Sequence, residues 1–293
     1  MNAALLIALL QVVVSGDATI RAQAGKSELV IKTTSRLAGA IDSLRWDGKE
    51  FIDSVDHGRQ LQSASNLDAG SPISDETFNP TEAGSRSDHT GPTSSSLLLA
   101  LKADGGVLET RSKMAFWLKP GERSGRNLAK NTTVLSEHVL AKRVMIGFRD
   151  LPQVLDYSVT FTLPAGEKHT AATFEALTGY MPGDFSRFLV YDPASKTARP
   201  IGAGPGEQPL ALIFSTESGS HAMGIYSPEP KAGYGRFRFG PERVVKWNCV
   251  FRVADPEGIP PGDFSYRMFV PVGTLDDVVA ALARLRELPL NGK

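Results

Sequence analysis

The sequence predicts an all-β protein, built as a large antiparallel β-sandwich with a short C-terminal helix. A dozen or more short runs of β-branched or alternating residues are separated by turn residues, and no helices alternate with them. The chain has 293 residues, a length that β-folds reach as one unit, and no repeat or shift in composition marks a second domain. We therefore predict one domain over residues 25–293.

Two hairpins are predicted in the first part of the chain. Residues 28–34 and 39–46 are rich in strand-forming side chains, and Asp47-Gly48 separates them from the run 49–52. An Asp-Gly pair between strands favours a two-residue turn, because both residues must accept a positive φ. Residues 103–106, Ala-Asp-Gly-Gly, predict a second hairpin between the runs 95–102 and 107–118.

A polar segment over residues 55–90 interrupts these strands. It holds two histidines, two arginines, several carboxylates and side-chain amides, and it has little apolar periodicity. Because such a segment buries little apolar surface, we predict a long loop system, and loops of this length are commonly functional. Residues 200–209 are rich in glycine and proline and predict a further loop.

The rest of the chain predicts more strands and then one helix. The helix begins at Thr274-x-x-Asp277, a capping-box pattern, continues with three apolar residues at helical spacing, and ends before Pro289. The predicted strands cover residues 133–144, 156–163, 168–178, 187–191, 210–215, 221–226, 235–239, 243–253 and 264–272.

The composition excludes several classes of function. Lysine and arginine together number 32, as do aspartate and glutamate, so a dominant basic surface for nucleic acid is not indicated. The single Cys249 cannot form an intrachain disulfide. Nucleotide-binding and zinc-protease motifs are absent, and His89, His138, His169 and His221 are dispersed, so we predict no metal and no cofactor.

The N-terminal residues 1–24 predict a signal peptide. Residues 3–14 are apolar but too few to span a bilayer, and Ala22-Gln23-Ala24 fits a cleavage site. This favours a secreted or periplasmic protein with no stable membrane insertion after removal of the signal. The alternative is that the segment is a buried part of the mature fold in a cytoplasmic protein. The sequence makes no prediction of the oligomeric state.

Two polar runs carry the candidate site residues. In the first, Asp56-His57-Gly58-Arg59-Gln60-x-Gln62, guanidinium and amide groups suit a ligand rich in hydroxyls. In the second, Pro80 holds a loop that presents Asn79 and Glu82, and Glu82 is a candidate general acid or base.

A third candidate run contains aromatic residues. The run 178–185 offers Tyr180 and Phe185 as a platform for a sugar face, with Asp184 to hold hydroxyls. Aromatic and basic residues on later strands are further candidates for the same cleft: Tyr226, Tyr234, Lys246 and Trp247.

Four features of residues 28–62 carry a family resemblance: Ala38-Gly39-Ala40-Ile41, the Asp47-Gly48 hairpin, Lys49-Glu50-Phe51 and His57-Gly58-Arg59-x-x-Gln62. In these features the segment resembles the start of proteins of the galactose mutarotase-like supersandwich group, which includes aldose 1-epimerases and domains of glycoside hydrolases and polysaccharide lyases. The resemblance implies a sugar ligand, and in the epimerases a His acid and a Glu base act on the sugar ring.

We therefore predict a carbohydrate-active enzyme that uses general acid/base chemistry in a cleft on the concave sheet. Its substrate would be a mono-, oligo- or polysaccharide, and epimerisation, hydrolysis and lyase chemistry all stay open. The alternatives are a non-catalytic sugar-binding module and a structural protein. The predicted catalytic residues are His57, Glu82 and Tyr180. The predicted substrate-binding residues are Arg59, Gln62, Asn79, Arg86, His89, Asp184 and Trp247.

Overall fold

The computed structural model describes residues 14–70, 72–240 and 244–289. One α-helix, α1 (Leu275–Glu287), follows the strands, and short 3-10 helices lie at Ser35–Leu37 and Arg86–Asp88. The strands in chain order are β1 (Ala18–Ala24), β2 (Ser27–Thr33), β3 (Ile41–Trp46), β4 (Lys49–Glu50), β5 (Leu61–Leu67), β6 (Pro80–Thr81), β7 (Leu97–Asp104), β8 (Val107–Phe116), β9 (Arg123–Ser124), β10 (Asn127–Leu128), β11 (Leu135–Phe148), β12 (Leu151–Leu163), β13 (Ala171–Pro182), β14 (Arg187–Asp192), β15 (Thr197–Pro200), β16 (Gly206–Gln208), β17 (Leu212–Ser215), β18 (Ala222–Ile225), β19 (Gly233–Phe239), β20 (Val244–Ala254) and β21 (Gly262–Gly273).

The main strands pair in two antiparallel series. The first series, which we call sheet I, runs β7–β8–β11–β12–β21–β18–β17–β14–β15. The second series, sheet II, runs β1–β2–β3–β5–β13–β20–β19–β16. The short strand β6 joins the two, because it pairs with β5 on one side and with β8 on the other. The predicted class, an all-β antiparallel sandwich, is confirmed.

The main core lies between the two sheets. Phe161 of β12 and Phe174 of β13 meet there with ring centroids 5.0 Å apart, and Tyr157 and Trp247 are fully buried in the same cluster. Since side chains alternate along a strand, the residues between these core positions in sheet II face outward. The outward face of sheet II is therefore available for a ligand.

The helix α1 covers a smaller second core on sheet I. Val278, Leu282 and Leu285 are buried against residues of β14, β17, β18 and β21. The predicted capping box is present, since the Asp277 amide donates to Thr274 Oγ1 at 3.2 Å and the Thr274 amide donates to Asp277 Oδ2 at 3.0 Å. The helix therefore begins at the predicted residue and packs its apolar side on sheet I.

The predicted hairpins form, whereas the predicted loops are partly wrong. Asp47 and Gly48 have φ values of 49° and 75° in the turn between β3 and β4. Residues 55–90, predicted as loop, contain β5 and β6, and residues 200–209 contain β16. The inward face of β5 carries Ser63 and Ser65 beside its leucines, so its pattern lacks the apolar alternation of a half-buried strand.

The N-terminal prediction falls partly outside the described residues, which begin at residue 14. Residues 18–24, the end of the predicted signal peptide, form β1 and pair with β2 in the register Ala18↔Thr33 to Ala24↔Ser27. Ile20 and Ala24 are buried in the main core. Cleavage after Ala24 would therefore remove a paired strand, and export stays a prediction. Within the described ranges, none of the helical segments is long and apolar enough to cross a membrane.

Candidate functional site

A cleft of about 750 Å³ opens on the outward face of sheet II. Its floor is formed by β5, β13, β20, β19 and β16, and loop residues close its ends. The residues that reach it from the central strands include Glu175 and Tyr180 of β13 and Lys246 and Asn248 of β20. We call this surface the sheet II cleft.

A β-bulge in β13 sets which side chains face the cleft. The pairing of β13 with β20 shifts between Glu175, opposite Val250, and Leu177, opposite Cys249, so Ala176 is the extra residue. Because of this insertion Glu175 and Thr178, three residues apart, both reach the cleft, although strict alternation would put them on opposite faces. Bulges of this kind re-aim side chains and are frequent beside active sites.

Glu175 is the centre of the polar network in the cleft. Its Oε2 accepts hydrogen bonds from Thr178 Oγ1 at 2.9 Å, from Lys246 Nζ at 3.2 Å and from Asn248 Nδ2 at 3.3 Å. Burial raises the pKa of Glu175, but the charge of Lys246 and these hydrogen bonds outweigh burial and hold the pKa below its ordinary value. Glu175 is therefore an ionised carboxylate at neutral pH.

Aromatic rings form one wall of the sheet II cleft. The rings of Tyr180 and Phe239 are nearly parallel, with centroids 6.0 Å apart, and Phe237 continues the series 6.3 Å beyond Phe239. Lys246 Nζ lies 5.3 Å from the Tyr180 ring centre and 5.4 Å from that of Phe237. The wall thus combines flat apolar faces with a cation and the Glu175 carboxylate.

The ionised state of these groups follows from their surroundings. Burial lowers the pKa of Lys246, but Glu175 and then Tyr180 outweigh it and raise that pKa. Burial also raises the pKa of Tyr180. The cleft therefore presents a carboxylate, an ammonium group and a protonated phenol side by side. A further ion pair lies on the cleft lining, where Arg252 donates to both carboxylate oxygens of Glu207 at 2.8 Å.

Three of the predicted site residues line the cleft: Tyr180, Gln62 and Asn79. Gln62 is held by main-chain groups, since its Nε2 donates to Gly58 O at 3.1 Å and its Oε1 accepts from the Ala83 amide at 3.1 Å. Asn79 Nδ2 donates to Ser65 O at 2.6 Å. Both amides shape the floor of the cleft, and Tyr180 is the one of the three with its ring on the aromatic wall.

The structure contradicts a proton-transfer role for His57. Its side chain is buried and absent from the cleft lining. Nδ1 lies 2.7 Å from His89 O and Nε2 lies 2.9 Å from Arg36 O, so both ring nitrogens are taken by main-chain carbonyls. His57 instead ties the segment after β4 to two neighbouring segments. The residue types of the run around His57 suggest a site, but in the structure the His57 side chain holds neighbouring segments together.

The structure also contradicts the prediction that Glu82 acts in the cleft. Its carboxylate lies in the interior, 1% exposed, and forms an ion pair with Lys142, whose side chain is 0% exposed. Glu82 Oε2 accepts from the Ser63 amide at 3.1 Å, and Lys142 Nζ donates to Gly39 O at 3.2 Å. Glu82 and His57 therefore do not form an acid/base pair on a sugar.

Two predicted binding residues lie close to the chain segments that border the cleft, but they point elsewhere. Arg59 Nε donates to Asp56 Oδ2 at 3.0 Å and also lies near Asp53. Trp247 is 1% exposed, faces the core, and donates its Nε1 to Met181 Sδ at 3.2 Å. Alternation on β20 explains the second error, because Lys246 and Trp247 are adjacent and cannot both face the cleft.

The remaining predicted residues lie on other parts of the surface. Arg86 pairs with Glu122 at 3.6 Å, and His89 is exposed with a φ of 49°. Asp184 forms an exposed ion pair with Lys49. These three positions do not line the sheet II cleft.

Two histidines that are dispersed in the sequence come together outside the cleft. His138 Nε2 and His169 Nε2 lie 2.7 Å and 2.9 Å from the same oxygen, Oε2 of Glu167. Burial raises the pKa of Glu167, but the hydrogen bonds from His138 and His169 outweigh it and lower the pKa to about 2. The separation of these two histidines along the chain gives no sign of this contact.

Strand order and site together define an antiparallel β-sandwich with a polar, aromatic-lined cleft on one sheet. Two solved structures are similar to most of the chain. An α-mannosidase from Enterococcus faecalis V583 has a TM-score of 0.53 at 12% identity, covering 93% of this chain and 32% of the mannosidase. A candidate aldose 1-epimerase from Klebsiella pneumoniae has a TM-score of 0.46 at 10% identity, covering 95% of this chain and 93% of that protein.

A third similar structure is an α-galactosidase from Lactobacillus brevis, with a TM-score of 0.45 at 9% identity, covering 90% of this chain and 40% of the galactosidase. The chain thus spans less than half the length of both glycosidases. Neither a family model nor a curated protein matches the sequence. At these identities the likeness concerns the fold alone: the protein has the galactose mutarotase-like supersandwich fold that residues 28–62 predict.

Proposed function

We propose that the protein is a carbohydrate-active enzyme that acts on a sugar ring in the sheet II cleft by general acid/base chemistry. The observation that carries the proposal is the position of the ionised Glu175 carboxylate beside the stacked wall of Tyr180, Phe239 and Phe237. A sugar offers both a flat C–H face and hydroxyl groups, and this cleft offers a surface for each. A similar fold occurs in a protein described as an α-mannosidase.

In the proposed reaction Glu175 is the general base and Tyr180 the general acid. The lowered pKa of Glu175 leaves its carboxylate ionised at neutral pH, and the raised pKa of Tyr180 leaves its hydroxyl protonated, so each group starts in the form that its role requires. Lys246, which contacts both, would stabilise negative charge that develops on the sugar. Epimerisation, hydrolysis and elimination each need a proton acceptor and a proton donor, so the proposal leaves the reaction among these three.

The test is a turnover screen of the full chain with neutral sugars, their glycosides and uronic-acid polymers. Wild type should convert at least one substrate, and both Glu175→Gln and Tyr180→Phe should lower kcat by about 10²-fold or more. Glu109→Gln is the matched control. Glu109 lies on β8, away from the cleft, and its carboxylate pairs with Arg143 of the neighbouring strand β11. Equal activity of Glu175→Gln and Glu109→Gln would refute the proposed base.

A non-catalytic sugar-binding module is the second candidate, and one observation favours it. Glu175 Oε2 already accepts three hydrogen bonds, which restrains the carboxylate and reduces its basicity. Such a module would bind saccharides without converting them. Saccharide binding that calorimetry detects in wild type and finds weakened in Phe239→Ala, together with the absence of turnover in the same screen, would favour the module over the enzyme.

A further inference from the structure

The cluster of His138, Glu167 and His169 lies apart from the sheet II cleft. His138 belongs to β11, and the other two belong to the turn between β12 and β13. Their candidate ligand atoms all lie within 4.8 Å of one another, and the two imidazole nitrogens converge on one carboxylate oxygen. Both imidazoles are buried, whereas the Glu167 side chain is 26% exposed and gives a path from solvent.

We propose that these three residues bind a divalent first-row transition metal ion, with Zn²⁺ as the expected occupant. Two imidazole nitrogens and one carboxylate are a donor set that zinc takes in proteins, at about 2.0–2.2 Å from each ligand atom. If the two imidazole rings move slightly away from the Glu167 oxygen, an ion fits at the point where the three ligand groups converge. Three protein ligands leave a fourth position for water.

The surroundings hold one of the ligands in the required orientation. His169 Nδ1 faces the main-chain oxygen of Asp68, and its distance to Asp68 Oδ1 is 3.5 Å. A proton on Nδ1 leaves the Nε2 lone pair directed at the cluster, which is how outer hydrogen bonds orient metal-binding histidines. The Asp68 carboxylate itself accepts from the amides of Thr170 and Ala171, so it supports the site and is not a ligand.

An apolar shell surrounds the same cluster. The Phe78 ring lies 5.5 Å from the His169 ring and 6.2 Å from that of His138, and Phe116 lies 6.4 Å from His138. Such a shell limits competition by water for the metal ligands. A bound ion would join β11, which carries His138, to the β12–β13 turn, which carries Glu167 and His169.

The test measures metal binding by the full chain, expressed without a histidine tag and stripped with a chelator. Titration with Zn²⁺ in a calorimeter should show one saturable site per chain. His169→Ala and Glu167→Gln should each weaken that site at least tenfold, and His221→Ala, a histidine outside the cluster, should leave it unchanged. Circular dichroism of each variant confirms that it is folded before it is titrated.

Two further measurements keep the proposal falsifiable if a variant is unstable. Co²⁺ bound to wild type should give visible absorption bands of a nitrogen and oxygen site, and stoichiometric Zn²⁺ should displace it. Zn²⁺ should also raise the Tm of wild type but not of Glu167→Gln, because only binding to the folded state stabilises. The proposal would be overturned if wild type showed no saturable zinc binding, or if His221→Ala weakened zinc binding as much as His169→Ala does. His138, Glu167 and His169 would then be only a hydrogen-bonded cluster.

Discussion

Two glutamate–lysine pairs of the same chemistry lie in different surroundings, one in the interior and one on the outward face of sheet II. Glu82 and Lys142 meet in the interior, with side-chain exposures of 1% and 0%, and each also binds a main-chain group. Glu175 and Lys246 meet on the outward face of sheet II, with exposures of 19% and 14%, beside a cleft. The first pair is a structural element, and the second is open to a ligand.

Whether a charged pair can act on a ligand depends on the face of the sheet on which the pair lies. In the interior, removal of either charge leaves the other without water or partner, which is costly. On the cleft face the same loss is moderated by solvent and by neighbouring donors.

Glu82→Gln should lower the free energy of unfolding by about 3–5 kcal/mol, since the Lys142 charge would stay buried without a counter-charge. Denaturant unfolding followed by fluorescence measures the change. The double variant Glu82→Leu with Lys142→Met should recover most of the loss, because it removes both charges. A loss below about 1 kcal/mol in the single variant would remove the distinction between the pairs.

Glu175→Gln should cost less stability, about 1.5–3 kcal/mol, because its three hydrogen bonds involve a charged acceptor that keeps some contact with solvent. Its folded pKa is lowered, so the contribution of the ionised carboxylate is complete above the ordinary value of 4.5 and is lost as the pH falls through the folded pKa. Unfolding free energies of wild type and variant, compared from pH 7 down to acid, should converge at the low end. A pH-independent difference would contradict the assigned ionisation.

Phe239→Ala should weaken sugar binding by roughly tenfold or less, since it removes one ring of the aromatic wall while leaving the Glu175 network intact. Phe239 is 40% exposed, so its loss should change unfolding little. Calorimetric titration with the saccharide identified in the substrate screen measures the affinity. Unchanged affinity would place the ligand away from this wall.

Asp184→Asn should have the smallest effect, within about 0.5 kcal/mol on unfolding and none on sugar binding. The pair that Asp184 makes with Lys49 is solvent-exposed, and such pairs contribute little. It serves as the surface reference for the interior pair and the cleft pair. A loss of unfolding free energy as large as that of Glu175→Gln would show that solvent exposure does not determine how much each of the three pairs contributes to stability.

The architecture could be predicted from the sequence where one local rule determines the structure. Asp47-Gly48 requires two positive φ values, and Thr274 with Asp277 requires a helix start, so both elements form where expected. The strand β5 was missed because Ser63 and Ser65 stand where apolar residues are usual. Secondary structure therefore follows from pattern except where polar side chains face the interior.

The site was harder to predict, because it depends on pairing across the sheet. Lys246 was named as a candidate, but Glu175 was not, since the bulge at Ala176 that turns it toward the cleft has no signal in residue type. The residue types of His57 and Glu82 suit catalysis, whereas their burial and partners are set by distant segments. Tyr180 lines the cleft as expected, and its role there stays a prediction.

The short strand β6 has a consequence for how the whole molecule holds together. Within four residues the chain passes from Asn79, on the floor of the cleft, through Pro80 and Thr81, to Glu82 in the interior. This crossing is hydrogen-bonded to both sheets, so neither can separate without breaking it. The Thr81 region thus links the two sheets. The protection of its amides against hydrogen exchange should report global opening rather than local fraying.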